Sequence, residues 1–379
     1  VADPTRGLDA LLRAAASSFP LLSSCTPVNA ASEHARLVAA WSRGEEQAPR
    51  WKAPSIDRGK LATLRREIER ASKVLEALAG DPWFEAYGAK LDEVSRELAV
   101  VDAAFGPGLA AAAEARYPTS AALTKAADER AERLRASRQE AKEEPVIATD
   151  DPQAAGSLLS RMRAELSRRG VAVRVMVRPR VGALAATGDG VVIVAEGRAI
   201  SAAETERVVL HEIEGHVMPR ERGRSGPVGL CWLGGAGSSE EEEGRALLLE
   251  ARAGFLVGAR ARSLAARHRA ASMARGGASF VEMGRALVRE LDGAIEPALA
   301  ICARVLRGAN LEDGEVRGGL CRERTYLPAW LTIERAVATE PGLMDDLGRA
   351  RLPLALHRAL ARGGANSEAL RFDLRRDVR

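Results

Sequence analysis

Apolar residues recur three and four positions apart through the first third of the chain. Leu61, Leu64, Ile68, Ala71, Leu75 and Leu78 share one helical stripe. By this pattern residues 7 to about 142 are mainly helical, punctuated at Pro27, Pro49, Pro54, Pro82 and Pro107. The charged, helix-compatible stretch 129–144 runs into Pro-Val-Ile-Ala-Thr-Asp-Asp-Pro at 145–152, which reads as a connection. A boundary near residue 150 therefore sets a helical N-terminal region, 1–150, apart from 151–379.

Beyond the boundary, Asp151 is placed to cap a helix with Pro152 at its first position. That helix would run through Leu158, Leu159, Met162 and Leu166 and stop at Gly170. The period then drops to two: Val171, Val173, Val175 and Val177 alternate, a short run spans 181–185, and Thr187-Gly-Asp-Gly190 precedes the apolar run 191–195. These strands predict a small antiparallel sheet. Ser201 with Glu204 forms a capping-box pattern that opens a helix. A Gly-rich loop covers 222–237, and Ser239 with Glu242 repeats the capping pattern ahead of a helix toward Leu256. Helical patterns return at about 279–307 and from Leu327 onward, with no internal repeat of solenoid period. The expected fold is α+β and mostly α-helical, with the sheet as a minority element.

Composition narrows the function classes. The 379 residues include 56 Lys+Arg and 52 Asp+Glu, a net charge of +4, with 46% hydrophobic and 28% charged residues. That profile excludes disorder. The charges interleave rather than form a basic stripe, so no nucleic-acid partner is expected. Ala, Arg, Leu and Gly dominate while aromatics make up 4%, a bias expected of GC-rich coding as much as of structure. Cys25, Cys231, Cys302 and Cys321 stand far apart, which argues for a reduced, cytoplasmic setting and against cysteine-ligated zinc. No signal-peptide pattern and no uncharged stretch near the ~18 residues of a membrane span is present, so no membrane role is expected.

The chemistry concentrates at His211-Glu212-Ile213-Glu214-Gly215-His216, two of the five histidines, behind the apolar run 208–210. This is HExxxH, one residue longer than the familiar HExxH. At about 100° per residue, a five-residue spacing splays two side chains about 140° apart on a regular helix, against about 40° for a spacing of four. Both imidazoles reach one zinc only if the helix widens, so a π-type irregularity is expected between 211 and 216, eased by Gly215. A catalytic zinc needs a third protein ligand and an open position. The acidic run 240–243 at the start of the next helix is the natural source, and Glu212 is placed to act as general base on water at the metal.

His211-Glu-Ile-Glu-Gly-His216, with Glu243-Gly-Arg-Ala246 after a Gly-containing loop, resembles the QEGLA-motif family of zinc metallopeptidases, which includes the microtubule-associated tyrosine carboxypeptidases. Pro27-Val-Asn29 resembles the family's early P-x-N. Arg307-Gly308 and Gly318-Gly-Leu-Cys-Arg-Glu-Arg-Thr-Tyr-Leu327 resemble its downstream R-G and G-x-F-T-K-D-x-x-Y-L segments. By pattern the resemblance covers roughly 8–365. It implies that His211, His216 and Glu243 hold Zn2+ and that Glu212 is the catalytic glutamate, with 151–379 the catalytic domain on which 1–150 packs. Glu242 and Arg245 stand where the family has Gln and Leu, and Leu320, Cys321, Arg322 and Glu323 where it has Phe, Thr, Lys and Asp. Glu242 remains an alternative ligand, since a shift of one residue would exchange it with Glu243.

The expected reaction is zinc-dependent hydrolysis at the C-terminus of a peptide or protein, and the resemblance implies removal of an aromatic or tyrosine residue. Arg322 is the first candidate to grip the terminal carboxylate, and Tyr326 is placed to donate to the developing oxyanion. Arg174, Arg178 and Arg180 are weaker candidates. An exposed edge strand would align the substrate. His34, His268 and His357 read as surface or core residues, and Cys231 and Cys321 as packing residues or cleft lining. The alternatives are an endopeptidase or an amide hydrolase acting on a modified peptide, and a non-catalytic zinc-binding regulator. No basic microtubule-binding extension is evident, so that partner is not carried over.

Overall fold

The computed structural model of the chain describes residues 5–76, 82–137, 145–179, 182–311 and 315–362. Leu78, Arg180 and Val181 lie outside the described residues, as does 138–144 of the charged stretch. The fold is α+β and mostly helical. Tertiary contacts gather into two units, each made of two stretches of chain: Val1–Ser137 with Ala259–Pro328, and Arg138–Gly258 with Ala329–Arg379.

The first unit is helical because its apolar residues keep the 3.6-residue period, and its longest helices, Arg58–Glu76 and Pro82–Ala103, pack on each other. Leu61, Leu64, Ile68 and Leu75 of the sequence stripe are buried. Its largest core joins Leu37, Trp41 and Trp51 to Phe280, Met283 and Leu287 across a long sequence separation. Trp51 meets Phe280 edge to face, with ring centroids 5.9 Å apart.

The second unit carries the strands β1 (Val146–Ala148), β2 (Arg174–Arg178), β3 (Ala185–Gly188), β4 (Val191–Ala195) and β5 (Ala199–Ser201). The pair β1–β5 is antiparallel, and the order β2–β4–β3 combines an antiparallel β3–β4 hairpin with a parallel β2–β4 pair. The parallel pair arises because β2 returns to the sheet beside β4 rather than beside its neighbour in sequence. Val192 and Val194 of β4 face a core shared with Leu158, Met162 and Leu166 of one helix and Val208, Val209, Ile213 and Val217 of another. Each aliphatic side chain buried there contributes about 1.5–3 kcal/mol.

Two expected helix starts shift. The helix Leu158–Arg168 is capped by Ser157, whose Oγ accepts from Ser160 N (3.2 Å), while Asp151 closes a tight turn by accepting from Gln153 N (2.8 Å). It ends as expected at Gly170, whose φ of 65° suits a residue without a side chain. The helix Ser238–Arg252 starts from Gly237, and Glu242 turns its carboxylate inward instead of capping. All four cysteines are free and buried. Cys231 is fully buried and Cys321 is 1% exposed, so neither lines an open cleft. Among the described residues no helix is long and apolar enough to cross a membrane.

Candidate metal centre

Ser201 opens the first site helix, Ala202–Glu212, its Oγ accepting from Glu204 N (3.2 Å). Only this half of the expected capping box forms, because the Glu204 carboxylate pairs with Arg207 (2.5 Å). The helix does not end at Glu212. It widens into a π turn over Ile213–Val217 and resumes as Met218–Gly223. The irregularity required by a five-residue histidine spacing is present, and it brings the His211 and His216 rings to a centroid separation of 5.2 Å.

The second site helix, Ser238–Arg252, crosses this turn at close range. A Cβ on Gly215 would stand 2.8 Å from Cβ of Ala246, nearer than real side chains approach. Gly215 thus serves the helix crossing as well as the π turn. A π turn breaks the regular backbone ladder, and here Arg245 stitches it: its Nη2 donates to the Gly215 carbonyl (2.8 Å) and also to that of Glu214. Arg245 is 4% exposed, and burial lowers its pKa to about 10.

His211, His216 and Glu243 come together with one potential ligand atom each, all within 4.8 Å of one another. His211 Nε2 stands 3.8 Å from Glu243 Oε2 while its Nδ1 meets Glu250 Oε1 at 2.7 Å. Glu250 is fully buried and also accepts from Arg207 Nη1 (3.2 Å). On the other side, His216 Nδ1 lies 3.3 Å from Glu242 Oε2, and Glu242 is gripped by Arg351 through Nε (2.5 Å) and Nη2 (3.2 Å). Arg351 is itself anchored on the Leu233 carbonyl (2.8 Å). Each histidine therefore has one ring nitrogen held by a buried carboxylate, which leaves its Nε2 for a cation, the arrangement that fixes imidazole orientation in metal sites. Two imidazoles and a carboxylate form a donor set that suits a divalent transition metal with an open position.

The electrostatics follow the same division. Burial opposes charge on Glu242, but Arg351 and the hydrogen bond to His216 hold its carboxyl down at about 2. Burial also pulls His216 toward neutrality, while the bond to Glu242 and the fields of Glu243 and Glu212 hold its pKa above the usual histidine value. Glu212 is 8% exposed, and its Oε2 accepts from the Thr187 hydroxyl (2.7 Å) on β3.

The sequence reading did not name the supports Glu250, Arg207, Thr187 and Arg351. Two of them carry a sequence signal: Glu250 lies two helical turns beyond Glu243, and Arg207 one turn before His211, each on the face of a presumed ligand. Thr187 and Arg351 carry none, being brought in by the hairpin and by a segment more than a hundred residues downstream.

Arg322 and Tyr326 belong to the first unit, where the Arg322 guanidinium lies over the Tyr326 ring, 5.7 Å from its centroid. Tyr326 is 3% exposed, and its hydroxyl accepts from Arg304 Nη2 (3.3 Å). Arg174 and Arg178 are exposed on β2. His34 approaches Glu296 (3.4 Å), His268 is buried against Asp128 (2.8 Å), and His357 is buried.

No curated protein and no solved structure gives a significant match. The model of the family described as microtubule-associated tyrosine carboxypeptidase matches residues 44–339, a span that holds both site helices, β1–β5 and the downstream segment around Tyr326. The chain belongs to the microtubule-associated tyrosine carboxypeptidase family.

Proposed function

We propose that this protein is a zinc-dependent carboxypeptidase that removes a C-terminal residue from a peptide or protein, with His211, His216 and Glu243 as metal ligands. The observation that carries the reading is the convergence of these three side chains with Glu212 next in sequence to the first ligand. Zinc bound there would polarise the scissile carbonyl and acidify a water molecule. Glu212 takes a proton from the attacking water and delivers it to the leaving amine, and Thr187 keeps its carboxylate oriented for both transfers. The strand β3 at the sheet edge, carrying Thr187, supports a substrate laid along it by strand addition. The family's description points to tyrosine as the residue released. The catalytic part runs over 151–379, with 1–150 as a helical accessory region.

Elemental mass spectrometry on wild type, His211→Ala and Glu243→Ala tests the ligand set. About one zinc per chain in wild type, lost in both variants, is expected. Glu212→Gln should keep the metal yet lower the rate of terminal-residue release about 100- to 10,000-fold. Internal cleavage of a peptide library would replace the exopeptidase reading with an endopeptidase one. Unchanged biological activity in Glu212→Gln would favour a zinc-binding regulator.

A further inference from the structure

The hairpin that carries Thr187 is fastened at its tip to the segment that follows His216. Its turn is Asp189-Gly190, flanked by Gly188, so Asp189 alone brings a side chain longer than hydrogen to the tip. Gly190 takes the left-handed conformation the turn requires, with φ 65°. Arg174 N donates to the Gly190 carbonyl (3.1 Å) and ties the turn to β2. Asp189 itself reaches the site helix: it accepts from Nη2 of Arg224, and its Oδ1 stands 3.9 Å from Nη1 of Arg220. Arg220 belongs to the helix Met218–Gly223, and Arg224 follows its end. All these residues lie in one stretch of the second unit.

The two arginines differ in what holds them. Arg224 is fixed on three sides, since its Nε also donates to Glu221 (3.0 Å) and its guanidinium lies over the Trp232 ring, 4.7 Å from the centroid. Arg220 is only 17% exposed, makes no hydrogen bond among the described residues, and has its Nε sealed from solvent. Asp189 is the one carboxylate within ion-pair reach of it among those residues. An exposed ion pair contributes little, but a carboxylate that faces a buried guanidinium cannot be removed cheaply, because the charge left behind has no other partner.

Two residues of strand separate Thr187 from Asp189, a spacing that turns both side chains to the same side. Thr187 meets Glu212 ahead of the π turn, and Asp189 meets Arg220 and Arg224 beyond it. The hairpin therefore spans the π turn and is fastened at both ends. β3 is an edge strand with β4 as its single neighbour, so the tip contact limits how far Thr187 can drift. A hydroxyl–carboxylate bond of 2.7 Å tolerates a displacement of only a few tenths of an ångström, roughly the width of the usual O–H···O range. We propose that Asp189 is a positioning residue, which clasps the hairpin to Arg220 and Arg224 and so keeps the Thr187 hydroxyl on the Glu212 carboxylate. Its consequence for hydrolysis rests on the carboxypeptidase reading; the clasp does not.

Native-state hydrogen exchange on the full chain reads the hairpin without any turnover. In Asp189→Asn the amides of 185–195 should exchange about tenfold faster than in wild type while those of Ala202–Glu212 keep their protection. Asp189→Glu, which keeps the charge, should recover most of that protection. Arg224→Gln opens the clasp from the helix side and carries the test if Asp189→Asn fails to fold. Steady-state kinetics on zinc-loaded protein then follow the contact to Glu212. Asp189→Asn should lower kcat about tenfold with KM within about twofold of wild type, and should lower it no further in a Thr187→Val background. Hairpin exchange unchanged in both Asp189→Asn and Arg224→Gln would overturn the clasp, and additive losses of kcat in the double variant would overturn its action through Thr187. Faster hairpin exchange in a protein whose wild type hydrolyses no peptide would instead overturn the carboxypeptidase reading and leave the clasp standing.

Discussion

At the scale of single residues, the candidate centre depends on groups that do not themselves face a metal. Glu250 orients His211 through Nδ1 and is in turn held by Arg207, so its loss frees the imidazole to rotate. Glu250→Gln should weaken zinc binding about 10- to 100-fold, read by competition with a chromophoric chelator, while the fold persists. The same reasoning explains the placement of Glu242. The acidic run at 240–243 offers several carboxylates, and sequence alone left Glu242 and Glu243 exchangeable as ligands. Adjacent helical residues point about 100° apart, so one can face His211 Nε2 only if the other turns away. Here Glu243 faces it, and Glu242 lies behind His216 against Arg351. The motif was legible because its spacing is local, and Arg351 was not because its distance from Glu242 in sequence hides a direct contact.

At the scale of elements, the π turn and the helix crossing are one device. HExxxH demands a wider turn, the wider turn breaks the carbonyl ladder, and Arg245 on the crossing helix repairs it. The family's Leu at this position cannot supply that bond. Arg245→Leu should therefore cost about 1–3 kcal/mol for a carbonyl left unsatisfied, measured by urea unfolding. Gly215→Ala should cost a similar ~1–3 kcal/mol through overpacking against Ala246, and adding Ala246→Gly should recover most of the loss. Failure of that rescue would mean that Gly215 matters for the π turn alone. The strands were legible from valine alternation, whereas the parallel β2–β4 pair was not, since alternation reports burial and not strand direction.

At the scale of the whole molecule, metal and pH should both act on stability. A ligand that binds only the folded state stabilises it by about 4 kcal/mol at a thousandfold excess over its dissociation constant, so chelation should lower the melting temperature and zinc restore it. His357 is buried with Nε2 unpartnered among the described residues, and burial lowers its pKa to about 4 against the opposing field of Asp346. Between that value and the unfolded value near 6.5, the unfolded chain binds the extra proton. This contribution to stability is therefore complete above about pH 6.5 and is lost as pH falls toward 4. His357→Leu should flatten the decline in that window, as followed by denaturant midpoints across pH. An equal decline in the variant would assign acid sensitivity to other groups.

The sequence by itself determined what short-range periodicity can carry: helices from the 3.6-residue stripe, strands from alternating valine, the π irregularity from a five-residue histidine gap, and the candidate ligands His211 and His216 beside Glu212 from one motif. Tertiary structure decided what depends on contact between distant segments. It joined 1–137 to 259–328 and 138–258 to 329–379, turned Glu242 onto Arg351, set Thr187 on Glu212, and paired Arg304 with Glu323. The physical reason is that a side chain's partner across a core is chosen by packing and charge among elements already formed. Such choices leave no spacing in the chain to be read.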